Sequence, residues 1–304
     1  MSNTGLTILE GKNAPSLAKR TTLRLGGPAL AEIILETPER ACELPDIASR
    51  LGGKLVCLGA GSNILAADRE LPLVLVKNAV DDDVAFISGD RAGCVMRVSS
   101  GMKLPALLAR LNALDLEGLE GLSGIPGTVG GAVAMNAGSF GSCIADALVA
   151  AQVVTQTGEV RFFPKEAIDF GYRHMGIQEK GFAQNWFMVL SADFALKRAE
   201  QGKVAALSLE YMARKKALQP IHAASAGCVF KNPAAGASAG KLLEEAGWKG
   251  KRKSNMGFSS LHANFLINYG GGSSIDALEL INEAKQAVLA SSGVALETEV
   301  KLWL

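Results

Sequence analysis

The sequence predicts a mixed fold of the α+β class, on three observations. Residues 30–56 alternate strand, helix and strand (AEIILETP, PERACELPDIASRLG, KLVCLG), as a small α/β unit does. Residues 147–196 read almost wholly as strands: LVAAQVVTQTG, EVRFFP and WFMVLSADFALK. Beyond residue 200 helical and strand patterns mix again, which places a domain boundary near that point.

Taken in order, the amino terminus MSNTGLTILEGKN lacks a basic start and an apolar run, and no stretch reaches about eighteen apolar residues. Neither a signal peptide nor a membrane span is expected. The strand KLVCLG runs into Gly59-Ala60-Gly61-Ser62-Asn63, which begins like a dinucleotide fingerprint but carries Ile64 where the last glycine belongs. It remains a strand-end loop able to present N–H and hydroxyl donors. LPLVLVKN and VMRVSSG read as strands, and LPALLARLNALDLEG as an amphipathic helix.

That helix leads into the glycine-dense stretch 118–141, GLEGLSGIPGTVGGAVAMNAGSFG. Glycine costs about 1 kcal/mol relative to alanine inside a helix and is depleted from strands, so an irregular path is expected here. Gly124-Ile125-Pro126-Gly127 reads as a turn in which Pro126 fixes φ and Gly127 takes a positive φ. From Gly127 through Gly130 and Gly131 to Gly138, missing side chains let a ligand lie on converging main-chain N–H groups, an arrangement suited to a diphosphate. Asn136-Ala137-Gly138 adds one polar side chain. A tight surface loop without a ligand is the other reading of this stretch by itself. Two such loops, around residues 59–63 and 125–138, can clasp one long ligand.

The strands after residue 147 are interrupted by Phe170-Gly171-Tyr172-Arg173. The charged, alanine-rich run 198–217 is expected to be a helix crossing between domains. There follow a loop (SAGCVFKNP), a helix (KLLEEAGWKG), a strand (ANFLIN), a second helix (SIDALELINEAKQAVLA) and a closing strand (LETEVKLWL). Gly236 to Lys241 is one residue short of a Walker A loop, and Leu242 replaces the magnesium-holding hydroxyl, which excludes a nucleoside triphosphatase of that kind. Lys249, Lys251, Arg252 and Lys253 form a basic patch, read as a solvated loop or as a holder of substrate phosphate.

With 31 basic and 30 acidic residues the chain is near neutral, which argues against nucleic acid or an anionic membrane as partner. Five scattered cysteines (Cys42, Cys57, Cys94, Cys143, Cys228), none in a CxxC pair, predict no disulfide framework and no metal site. A reducing, cytoplasmic setting fits them.

Taken together, TTLRLGGPA (21–29), LGAGSNIL (58–65), GLSGIPGTVGGAVAMNAG (121–138), FGYR (170–173), AGCVFKNPA (226–234), AGWKG (246–250), HANFLIN (262–268) and LETEV (296–300) closely resemble one family. It is UDP-N-acetylenolpyruvoylglucosamine reductase, of peptidoglycan precursor synthesis. GIPGTVGG alone suggests only an FAD-binding domain; FKNP with LETEV points to the reductase. The resemblance implies two α/β FAD-binding subdomains of the vanillyl-alcohol-oxidase-like type (1–80 and 81–200) and a C-terminal α+β substrate domain (201–304). It implies FAD and NADPH as cofactors, a sugar-nucleotide substrate, a monomer, and the shorter form of the family, because YRHMGIQEKGFAQNWF leads quickly back into a strand.

By the same resemblance Gly59, Ala60, Gly61, Ser62, Asn63, Ile125, Pro126, Gly127, Gly130, Gly131, Asn136, Ala137 and Gly138 hold FAD. Hydride leaving flavin N5 for the terminal carbon of an enol ether builds charge on the adjacent carboxylate, which a planar, permanently charged arginine suits. Arg173 of the YR motif is the residue implied. The proton for the other carbon comes from Cys228, where the family most often has serine; a thiol with a reference pKa of about 8.5 is the better acid. Glu299 of LETEV assists at the carboxylate, while Glu297 is expected on the same side of that strand. Asn232, His262 and, more weakly, Lys231 and Tyr172 match substrate-contacting positions. An FAD oxidase of an alcohol or sugar and a non-catalytic nucleotide- or flavin-binding module are the competing readings. None of His174, His222 and His262 lies in the glycine-rich loops, where a covalent flavin link would favour the oxidase.

Overall fold

A computed structural model describes residues 5–80, 84–179 and 187–304. The chain divides into two compact units: Met1–Asn13, Leu30–Ala60 and Pro72–Ala213 make the first, and Ala14–Ala29, Gly61–Leu71 and Arg214–Leu304 the second.

The first unit holds two sheets. One has four strands in the order Leu6–Glu10, Ala29–Leu35, Leu71–Asn78, Lys54–Cys57. The helix expected between two of them occupies Leu44–Leu51, preceded by a 3-10 turn over Pro38–Glu43 and closed by Gly52 at φ 73°, a left-handed stop that glycine adopts freely. Lys54–Cys57 pairs in parallel with residues 73–76, and the Leu58 N–H still donates to the Val76 carbonyl at 2.8 Å. Sheet pairing therefore ends where the loop from Gly59 begins.

The other sheet is antiparallel in the order Val160–Pro164, Leu148–Thr155, Phe187–Arg198, Gly93–Ser99, Val84–Gly89. Its apolar face, with Val98, Val153, Phe163 and Phe194, packs on Leu104, Leu107 and Leu111 of the helix Leu104–Ala113 and on Leu122, Val129 and Val133 of the glycine-rich stretch. Each such burial contributes about 1.5–3 kcal/mol, so this core anchors the loop. The return into the strand across residues 180–186 lies outside the described residues. The expected helix of 198–217 occupies Lys203–Leu218.

Two expectations are corrected. The stretch 118–141 is not irregular throughout, because Val129–Ala134 is a helix whose N-cap Thr128 accepts the Gly131 N–H at 3.3 Å. Burial of Val129, Ala132 and Val133 on the core outweighs the low propensity of its two glycines. LETEVKLWL is not one strand: only Lys301–Trp303 is, pairing in parallel with Ile64–Ala66. Residues 297–299 instead run beside Val229–Lys231 through Lys231 N–H to Glu297 O (2.9 Å) and Glu299 N–H to Val229 O (2.7 Å). The two glutamates therefore do not share a regular strand.

The second unit carries a four-stranded antiparallel sheet in the order Ser225–Cys228, Phe265–Asn268, Met256–Phe258, Arg252–Lys253. The helix Ser274–Ser292 buries Ala277, Leu280, Ile281, Ala284 and Val288, the one-face spacing of an amphipathic helix. Ser273 caps its start by accepting the Asp276 N–H, and Gly293 at φ 72° ends it. Residues 14–29 and 61–71 join this unit by specific polar bonds. The Asn268 amide donates to the Leu23 carbonyl (3.0 Å), and Asp68 accepts the Ser274 N–H (2.5 Å). Among the described residues no helix is long and apolar enough to cross a membrane.

Candidate active site

In the first unit the two glycine-rich loops meet. A Cβ on Gly59 would lie 2.6 Å from Thr128 Oγ1, well inside contact distance, so only glycine lets the loops abut. A Cβ on Gly130 would lie 2.8 Å from that of Ser100, and Ser100 is itself held by the Asn78 amide at 2.7 Å. Gly127 has φ 125°, the positive value expected of it, and Pro126 beside it is exposed. Ile125 packs on the core. Among the described residues the main-chain N–H groups of Gly59, Ala60, Gly127 and Thr128 donate to no protein group. Main-chain N–H groups left open beside Gly59 and Gly127, where two glycine-rich loops abut, are the donor set a dinucleotide's diphosphate requires, and on that ground FAD fits.

Arg173 stands against the Asn136-Ala137-Gly138 end of the glycine-rich stretch. Ile168–Gly171 and His174–Ile177 form a hairpin whose last pair is Gly171 with His174, leaving Tyr172-Arg173 as its two-residue turn. The second residue of that turn, Arg173, stands in the left-handed region at φ 57°, where a type II turn needs positive φ. Its Nη1 donates to the Gly138 carbonyl at 3.4 Å, and the guanidinium lies 5.0 Å from the centre of the Tyr172 ring. Asn136, at φ 40°, donates from Nδ2 to the Gly171 carbonyl (3.1 Å) and accepts the Ala145 N–H on Oδ1 (3.1 Å). Ala137 is buried, its N–H bonded to the Ala132 carbonyl at 2.8 Å. The fold thus brings Asn136, Ala137, Gly138, Tyr172 and Arg173 together from two sequence motifs.

In the second unit the remaining candidates gather around one strand end. Cys228 closes the strand Ser225–Cys228, half-buried, after Gly227 at φ 74°. At the other end of that strand Thr22 donates its hydroxyl to the Ser225 carbonyl (2.6 Å) and its N–H to the Gly61 carbonyl (3.1 Å). A Cβ on Gly61 would overlap the Arg20 carbonyl, and one on Gly227 would lie 3.9 Å from the Ser62 carbonyl. The Asn63 amide donates to the Glu299 carbonyl at 3.3 Å. Gly61, Ser62 and Asn63 are therefore brought beside the strand that ends at Cys228 and beside Glu299, through Thr22 and the Asn63 side chain.

Lys231 ion-pairs with exposed Glu297 at 3.3 Å, and Asn232 Oδ1 accepts the Ala239 N–H at 3.0 Å. His262 Nδ1 accepts the Asn264 N–H at 3.2 Å, which leaves the proton of the neutral ring on Nε2. Burial holds its pKa below the ordinary 6.5. The basic patch is engaged within its own unit. Lys249 pairs with Glu244 and Lys253 with Glu279 and Glu283, while Lys251 lies 3.7 Å from the centre of the Trp248 ring and Arg252 3.6 Å from that of Tyr269. Those contacts fit a surface loop. Thr128 and Asn264 escaped the sequence reading. Thr128 carried the signal of a hydroxyl residue just before a small apolar run, a helix N-cap pattern.

Residues 29–163 match the family model described as FAD binding domain. Fold and cradle thus define a flavoprotein oxidoreductase. Residues 219–303 match the model described as UDP-N-acetylenolpyruvoylglucosamine reductase, C-terminal domain. The reductase of that name from Nitratidesulfovibrio vulgaris is 47% identical, covering 98% of this chain and 100% of its own. The one from Oleidesulfovibrio alaskensis is 46% identical over 97% and 98%. A crystal structure of UDP-N-acetylenolpyruvylglucosamine reductase from Thermus caldophilus superposes with a TM-score of 0.78 at 33% identity, covering 98% and 99%. The chain belongs to the UDP-N-acetylenolpyruvoylglucosamine reductase family.

Proposed function

We propose that this protein reduces UDP-N-acetylglucosamine enolpyruvate to UDP-N-acetylmuramate, with NADPH as the electron source, in the cytoplasm and as a monomer. Family membership supports the reaction, and the observation that carries its chemistry here is the bond from Arg173 to the Gly138 carbonyl, which holds the guanidinium against the Asn136-Ala137-Gly138 segment. FAD, when bound, supplies a two-electron carrier between nicotinamide and enol ether.

The chain's own residues supply the rest. Gly59 to Asn63, Ile125 to Gly127, Gly130, Gly131 and Asn136 to Gly138 hold the cofactor by main-chain contact. Arg173 binds the substrate carboxylate with its planar fork of donors and neutralises charge as it grows there. Cys228 Sγ–H gives its proton to the carbon bearing the ether oxygen, and Glu299 assists at the carboxylate. Tyr172, Lys231, Asn232 and His262 orient the sugar nucleotide. Residues 1–80 and 81–200 serve FAD and 201–304 the substrate, in the shorter form of the family.

Anaerobic titration tests this. NADPH is expected to bleach the flavin absorbance, and the enolpyruvyl sugar nucleotide to restore it stoichiometrically. Rapid return with oxygen alone would favour an oxidase. Cys228→Ser is expected to stay active, and Cys228→Ala to bleach normally but not recover; normal recovery in the alanine variant removes Cys228 from the chemistry.

A further inference from the structure

We infer that Asn264 is a positioning residue for proton delivery, acting through Cys228 and Glu299. The inference rests on the role proposed for Cys228. Asn264 is 2% exposed, and a buried amide holds its place only by satisfying all its groups. Its Oδ1 accepts the Phe230 N–H at 2.9 Å and its Nδ2 donates to the Phe230 carbonyl at 2.8 Å. The same residue's carbonyl accepts the Val229 N–H at 2.8 Å, and its own N–H goes to His262 Nδ1.

One residue thus locks the main chain directly after Cys228 and fixes a candidate substrate-binding imidazole. The locked segment carries Glu299 as well, since Val229 O and Lys231 N–H bond Glu299 N–H and Glu297 O. Cys228 itself is held on its strand by pairing with Phe265, the residue after Asn264. The bonds that Asn264 makes to Phe230 copy those of a strand neighbour, at the point where the sheet pairing of Ser225–Cys228 has ended. A thiol that must meet one carbon of a substrate needs such a fixed loop, because proton transfer requires hydrogen-bond reach.

The test compares Asn264→Ala, Asn264→Ser and Cys228→Ala with the wild-type holoenzyme by stopped-flow absorbance, in H2O and D2O. For Asn264→Ala, bleaching by NADPH at the wild-type rate is expected. Recovery with the enolpyruvyl sugar nucleotide should slow about tenfold, the effect of losing buried hydrogen bonds on a positioned group, with a larger solvent isotope effect. In the flavin-free protein, iodoacetamide should label Cys228 about threefold faster relative to exposed Cys42, since loosening the segment uncovers the thiol. A residue that only supports stability would lower the melting temperature without changing the isotope effect. Wild-type recovery and labelling in the folded alanine variant overturn the inference alone. Wild-type recovery in Cys228→Ala removes the proton-delivery reading and the inference with it. Should Asn264→Ala fail to fold, Asn264→Ser decides by the same measurements.

Discussion

Gly59 and Thr128, 69 positions apart in sequence, are so close that a methyl group on the first would sit 2.6 Å from the hydroxyl of the second. The hydroxyl cannot retreat freely, because it also accepts the Gly131 N–H that starts the helix Val129–Ala134. Gly59→Ala should therefore part the two loops. Overpacking of this kind costs about 1–3 kcal/mol, or a flavin dissociation constant raised about tenfold. Fluorescence titration of the apoprotein with FAD measures it, and Thr128→Ala in the same chain should restore part of the loss. Unchanged affinity in Gly59→Ala would show that the loops do not act together.

Neighbouring glycines in one helix should behave oppositely. At Gly130 an alanine methyl would meet Ser100 Cβ at 2.8 Å, on a backbone bound to Ser100 through Gly130 N–H to Ser100 O (2.9 Å). At Gly131 the nearest atom is Thr128 Oγ1 at 3.6 Å and the residue is exposed. Gly130→Ala should lower the melting temperature of the apoprotein, while Gly131→Ala should raise it slightly, by the helix preference of alanine, worth up to about 1 kcal/mol. If the exposed face of Gly131 receives FAD, its alanine variant should nonetheless bind flavin more weakly. Calorimetry of apo and holo forms separates the two effects.

This contrast also shows where the sequence was legible. The loops around Gly59 and Gly127 could be read locally, because a strand that ends in Gly-Ala-Gly and a Gly-Ile-Pro-Gly turn have few other conformations. The helix over Val129–Ala134 left only the N-cap pattern of Thr128 as a local sign, since its stability comes from the core contacts of Val129 and Val133 with residues far along the chain. The same holds for the joining of residues 14–29 and 61–71 to the second unit. Bonds such as Asn268 Nδ2 to Leu23 O, spanning 245 positions, leave no local pattern. LETEV has the pattern of a strand, but its residues make only an isolated bridge, with bonds divided between Val229 and Lys231. Propensity senses the extension and not the partner.

His262 makes stability depend on pH. Burial disfavours its charged form, so its folded pKa lies below 6.5 while the unfolded value stays near it. Above 6.5 both states are neutral and its contribution is fully present. As pH falls, the unfolded chain takes the proton first, and stability is lost down to the folded pKa. The neutral ring also keeps Nδ1 as acceptor for Asn264, a bond that protonation ends. Denaturant midpoints should fall as the pH drops below about 6.5 in the wild type. His262→Gln should flatten that part of the curve, and an unchanged slope would assign it to other groups.

Arg173 allows backbone and side chain to be separated by one substitution. The residue sits at φ 57° in a two-residue hairpin turn, a conformation that costs a side-chain-bearing residue about 1–2 kcal/mol and glycine little. Arg173→Gly removes that strain while loosening the unfolded chain by a similar amount, so the melting temperature should barely move. The guanidinium, its bond to the Gly138 carbonyl and its position over Tyr172 all disappear. With them goes the cation proposed to meet the growing charge on the substrate carboxylate. Removing one such stabilising donor slows catalysis about 100- to 1,000-fold. The loss should fall on flavin recovery with the sugar nucleotide, leaving bleaching by NADPH within about twofold of wild type. Arg173→Lys keeps the charge but not the planar fork, so its recovery rate should lie between the two. Equal slowing of both half-reactions in Arg173→Gly would instead assign the arginine to holding FAD, through the Gly138 loop.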